Sequence, residues 1–77
     1  MRRKYKPIIN MMLDLRTHLR YNGSMEVKRM VYARTTGYIF GYITAWNYNN
    51  NDKITNNQID LIYKYVDTLH DKYIMNK

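Results

Sequence analysis

Apolar residues in the first third of the chain fall at Ile8, Met12, Leu15 and Leu19, and Ile9 and Leu13 widen the stripe. The spacings of four, three and four are those of a helix with one buried face. Pro7 suits the first turn, where a missing N–H costs nothing. Asn22-Gly23 stops the helix, with Gly23 placed to take a left-handed conformation past its end. The pattern predicts a helix over 7–21. Arg16 and Arg20 lie one turn apart at the border of its stripe, and Asn10, Asp14, Thr17 and His18 on its wet side.

The last third is clearer. Thr55-Asn56-Asn57-Gln58 fits a capping box, and Ile54 and Ile59 occupy the two positions of a hydrophobic staple. Ile59, Ile62, Val66, Leu69 and Tyr73 then recur at three, four, three and four, and Asp60 with Lys64 adds an i,i+4 pair. A helix over 55–75 is expected.

The middle supports two readings. Ser24 can cap a helix, and Glu26 in its first turn favours the dipole. Val27, Met30, Val31, Tyr38, Gly41, Tyr42 and Ala45 share one side of a helical wheel, while Ile39, Ile43 and Trp46 take the other. A helix apolar all round must be buried on most faces. The stretch 38–46 is also rich in strand formers, and Thr35-Thr36-Gly37 could turn a hairpin between 26–34 and 38–47. One long helix is preferred, giving an all-α, three-helix domain over 7–77; the alternative is α+β, a helix–β-hairpin–helix. Asn47 to Lys53 reads as a polar loop in both. Gly37 and Gly41 form a G-x-x-x-G step that would let the middle helix cross a neighbour closely or contact a second copy. Gly37-Tyr38-Ile39-Phe40-Gly41 followed by the Ile54-to-Tyr73 helix resembles the second half of some small helical immunity proteins of the amidase-immunity (Tai) type. That resemblance implies a helical fold over about half the chain. Those proteins are exported and carry cysteine, whereas this sequence has 0 Cys and no export signal.

Composition changes this picture in three ways. The 77 residues make one small domain with a marginal core. Without cysteine, disulfides, zinc knuckles and a thiol nucleophile are excluded. Asn, Ile, Lys and Tyr supply 33 of the 77 residues, and their A/T-rich codons suggest a phage or another mobile element. The apolar run from Pro7 to Leu13 is too short and polar for a signal core. The apolar centre of Thr35 to Asn51 falls short of the roughly 20 residues that span a bilayer. Asp14 and the lack of a large apolar face argue against surface attachment through residues 1–20. The expectation is a cytoplasmic protein (in the host cell, if phage-encoded) with membrane contact unlikely.

Charge is lopsided. Thirteen Lys and Arg oppose 6 Asp and Glu, a formal +7. Arg2, Arg3, Lys4, Lys6, Arg16, Arg20, Lys28, Arg29 and Arg34 face only Asp14 and Glu26 in residues 1–34, while the remainder sums to zero. Residues 1–6 read as a basic arm. Such a field suits phosphate backbones or an acidic protein surface.

No constellation carries reaction chemistry. His18 and His70 sit on different segments without ligands at metal spacing, Ser24 reads as a cap, and Gly23, Gly37 and Gly41 are too far apart for a phosphate loop. No enzyme activity, metal or cofactor is expected. Tyr5, beside the arm cations, and Tyr32, beside Lys28 and Arg29, are candidates for stacking on bases. The leading expectation is a small accessory protein that binds DNA or RNA through the nine cations, with possible dimerisation because the core is small. The alternative is a protein-interaction module, an inhibitor or assembly factor, using Gly37, Phe40, Gly41, Trp46 and Tyr48.

Overall fold

The computed structural model describes residues 3–75. Three helices follow one another: α1 Lys6–Tyr21, α2 Met25–Asn49 and α3 Asn56–Tyr73. The fold is all-α, and no strand occurs among the described residues. The hairpin alternative is therefore corrected to one continuous α2. Strand propensity over 38–46 yields because Ile39 and Ile43 are buried in the core and Tyr42 and Trp46 pack against it.

Each helix start obeys its local chemistry. Ser24 Oγ accepts the Val27 N–H at 3.3 Å. The capping box at Thr55 is complete: Gln58 N–H donates to Thr55 Oγ1, and Thr55 N–H donates to Gln58 Oε1. The end of α1 differs from expectation. Gly23 does not adopt the left-handed conformation. Asn22 closes the helix in an extended conformation, with its N–H donating to the His18 carbonyl at 3.1 Å, and its side chain accepts the Ser24 N–H at 3.0 Å. Asn22 thus makes the turn that was assigned to glycine.

The core is thin. Ile8, Leu15 and Leu19 enter it from α1, Val31, Ile39 and Ile43 from α2, and Ile62, Val66 and Leu69 from α3. Ile54 and Ile74, just beyond the ends of α3, close it. The stripes of α1 and α3 match their sequence period, but the face of α2 does not. Met30, Tyr38, Gly41 and Ala45 point to solvent, whereas Ile39 and Ile43 face inward. With apolar residues all round α2, period alone could not choose the inward side.

Ring contacts fix the antiparallel course of α2 and α3: Tyr32 meets His70 at 4.7 Å between centroids, and Phe40 stacks on Tyr63 at 4.2 Å. The molecule measures 41 × 20 × 18 Å. Its turn 22–24 lies at one end and its α2–α3 loop at the other. Side chains hold that loop. Asn47 donates to the Ile54 carbonyl and accepts the Ile54 N–H, and Trp46 Nε1 donates to the Asp52 carbonyl at 2.7 Å. Lys53 donates to the carbonyls of Asn47 and Asn50, capping the C-terminus of α2.

A chain of this size has about 4–12 kcal/mol of stability in all. Leu15→Ala and Ile39→Ala remove side chains that are 0% exposed and are expected to cost about 2–5 kcal/mol each. Leu13→Ala, at a position 45% exposed, should cost less than about 1 kcal/mol. Urea denaturation followed by circular dichroism checks the contrast.

Candidate nucleic-acid interface

The nine candidate cations do not form one surface. Arg2 lies outside the described residues. Lys4 is buried, with its side chain only 4% exposed, and its ammonium donates to Asp52 Oδ1 at 2.7 Å and to the Lys53 carbonyl at 3.2 Å. Its own carbonyl accepts the Tyr42 hydroxyl at 2.7 Å. Residues 3–5 form a turn packed on the bundle, so the expected free arm does not include Lys4 or Tyr5. Tyr5 packs against the core, and its buried hydroxyl makes no hydrogen bond of its own. The residue as a whole is half-buried and lines the groove between α1 and α3. Of the candidate cations described at this end, Arg3 and Lys6 stay exposed.

Arg16, Arg20, Lys28 and Arg29 gather at the other end, around the turn 22–24. Ile9 and Met12 line a groove with Leu61 and Ile62 of α3, and Arg16 and Arg20 continue the same flank of α1 one and two turns further on. Lys28 and Arg29 occupy the first turns of α2. The antiparallel pairing of Tyr32 with His70 brings the last turn of α3, with Lys72, to this end as well. Lys72 was not singled out from the sequence, because only the topology carries it there. Tyr21, also missed, is strongly exposed, with the Arg20 guanidinium 5.5 Å from its ring centre. Glu26 and Asp71 are carboxylates at this end, with Asp67 one turn before Asp71 in α3. Among the described residues Lys4–Asp52 is the only ion pair, so these five cations keep their charge free for a partner.

Along α1 the nearest members of the two basic groups, Lys6 and Arg16, are ten residues apart, about 15 Å. That exceeds the Debye length of about 8 Å at physiological salt, so screening largely separates the two fields. Arg34 stands apart on the outer side of α2.

The remaining candidates divide between structure and surface. Tyr32 is half-buried against His70, and burial, with Asp67 and Asp71 nearby, pushes its hydroxyl pKa up. Phe40 is stacked on Tyr63, and Trp46 is committed to the α2–α3 loop. Tyr48 is 87% exposed. Gly37 and Gly41 do not mediate a crossing within the chain, since a Cβ built on either meets nothing within 4 Å. Both face solvent because the true inward face of α2 passes through Ile39 and Ile43.

No group of three metal-ligating side chains occurs among the described residues, and no helix there is long and apolar enough to cross a membrane. No protein-family model matches the chain, and neither curated proteins nor solved structures give a match.

The Lys4 contact yields a pH test. The hydrogen bond to Asp52 lifts the Lys4 pKa above its ordinary 10.5, against the lowering effect of burial and with help from the Asp52 charge. A pKa raised by folding adds stability that is fully present below the unfolded value and is lost as pH rises through the folded one. Wild type should therefore be more stable than Lys4→Met at roughly pH 8, and the gap should narrow towards roughly pH 11 and beyond. Urea midpoints of both proteins across this range provide the check, and a constant gap would remove the ionic contribution.

Proposed function

We propose that the chain is a non-enzymatic accessory protein that binds the phosphate backbone of nucleic acid through the end of the bundle formed by Arg16, Arg20, Lys28, Arg29 and Lys72. The observation that carries this reading is their gathering around the turn 22–24 with no carboxylate paired to any of them. The N-terminus of α2 adds its positive dipole end, while the basic side chains offset the carbonyl ends of α1 and α3. Tyr21, exposed beside Arg20, gives a flat surface on which a base can stack. Contacts of this kind position a protein on a strand and carry little sequence choice. Arg3 and Lys6, at the far end, are not needed for it. The phage or mobile-element context remains an inference from composition alone.

Titration onto a random-sequence duplex and a single strand at two salt concentrations tests the proposal. Four or five phosphate contacts should give a log–log salt slope of roughly −4 on duplex. Arg16→Gln with Arg20→Gln should reduce its magnitude by roughly two and weaken binding at low salt on every sequence alike. Arg3→Gln with Lys6→Gln should change it little. Binding that ignores the first pair of changes would transfer the function to a protein partner.

A further inference from the structure

A second surface has the opposite electrostatic character. Between α2 and α3 runs an open groove of about 480 Å³, lined by Tyr32, Ala33, Gly37, Phe40, Tyr63 and Val66. Its floor is apolar and aromatic, with Phe40 stacked on Tyr63. Its α2 wall is low, because Ala33, Gly37, Gly41 and Ala45 recur every four residues and all face solvent. Nothing lies within 4 Å of a Cβ built at Gly37 or Gly41, so another backbone can approach α2 closely there. The α3 wall carries Asp67 at the groove, with Asp60 two turns before it and Asp71 one turn after it. All three are exposed and none is ion-paired. Lys64 is the one cation within this row, Arg29 stands at one end of the groove, and Arg34 lies beyond the small-residue strip.

The geometry points to a docking site in this groove for an amphipathic helix of another protein, with its apolar ridge on Phe40 and Tyr63 and Lys or Arg along its α3-facing edge. Three helices cover only part of one another, and a fourth laid along α2 and α3 would complete a four-helix bundle. The acidic row sets the sign of the occupant's charge and the edge that bears it. A polyanion is repelled from this wall, so the site is distinct from the basic end. A second copy fits poorly. The cations of its α2, Lys28, Arg29 and Arg34, are confined to the first ten residues of that helix and leave Thr35 to Asn49 without one. The carboxylates on its α3 would face the acidic row, and Ile8, Leu15 and Leu19 of its α1 are already buried.

The test uses the full chain and a fluorescent, designed helical peptide with a Leu stripe and Lys along one edge. Controls are the same peptide with Glu for Lys and a version with scrambled order. The Lys peptide should bind, and the Glu and scrambled peptides should bind about tenfold more weakly or not at all. Gly37→Leu, which raises helix propensity and projects into the open groove, should weaken the Lys peptide about tenfold with helicity retained. Asp67→Asn with Asp71→Asn, both on the surface, should erase the preference for Lys over Glu while leaving the Leu stripe bound. Three outcomes overturn the assignment: no binding of the Lys peptide, equal affinity for the Glu peptide, or indifference to both sets of changes. A monomer–dimer equilibrium abolished by Gly37→Leu would give the groove to a second copy and overturn it equally.

Discussion

The buried Lys4 ammonium is the contact on which the arrangement of the helices turns. Eleven apolar side chains make up the buried core among the described residues, and an apolar core of that size tolerates sliding of one helix along another. Lys4 removes that freedom. It ties the segment before α1 to Asp52 and Lys53 in the α2–α3 loop, 48 and 49 residues away in sequence. The Tyr42 hydroxyl ties the same segment to the C-terminal half of α2. Trp46 and Asn47 then hold the loop to α2. One end of the bundle is thus fixed by directional polar bonds, which specify register where dispersion and area burial do not. The Asp52 side chain remains 67% exposed, so the pair is anchored in water on one side and avoids the full desolvation of a buried ion pair.

This use of Lys4 changes the meaning of the charge count. Nine cations in the first 34 residues look like one field in sequence, but chain order is not spatial order. α1 carries its own two ends apart by more than the screening length, and one cation at the near end is consumed in structure. The larger basic group is the one at the far end, strengthened by Lys72 from the neutral half of the chain, while Arg3 and Lys6 stay exposed at the near end. The polarity of the molecule is real, but it runs along the bundle axis and not from the first half of the sequence to the second.

What could be read from the sequence divides along the same line. The stripes Ile8–Leu15–Leu19 and Ile62–Val66–Leu69, the Ser24 cap and the Thr55 box are local features, and each is set by spacing within one helix. The inward face of α2 was not legible, because Val31, Ile39 and Ile43 compete with Met30, Tyr38 and Tyr42 for the same role and only neighbours decide. Tyr38, 63% exposed, looked like core for that reason. The groove of α2 and α3 was hidden: Gly37 and Gly41 suggested a close crossing or a contact with a second copy, and nothing in the sequence set Asp67 beside them. Their adjacency depends on the antiparallel pairing that places His70 against Tyr32, a contact between residues 38 apart that no window of sequence contains.

The two surfaces place different demands on the fold. Phosphates bound at the basic end would touch long side chains on finished helix termini, adding attraction without burying apolar area. A helix in the groove would cover Phe40 and Tyr63 and add apolar burial to a domain that has little. Any species that binds only the folded chain stabilises it in proportion to the logarithm of its concentration over Kd. For a domain with only a few kcal/mol in reserve that increment is a large share of the whole. By that linkage a helix in the groove would add apolar burial together with the increment, whereas a polyanion at the basic end would add the increment alone, and added salt would shrink it.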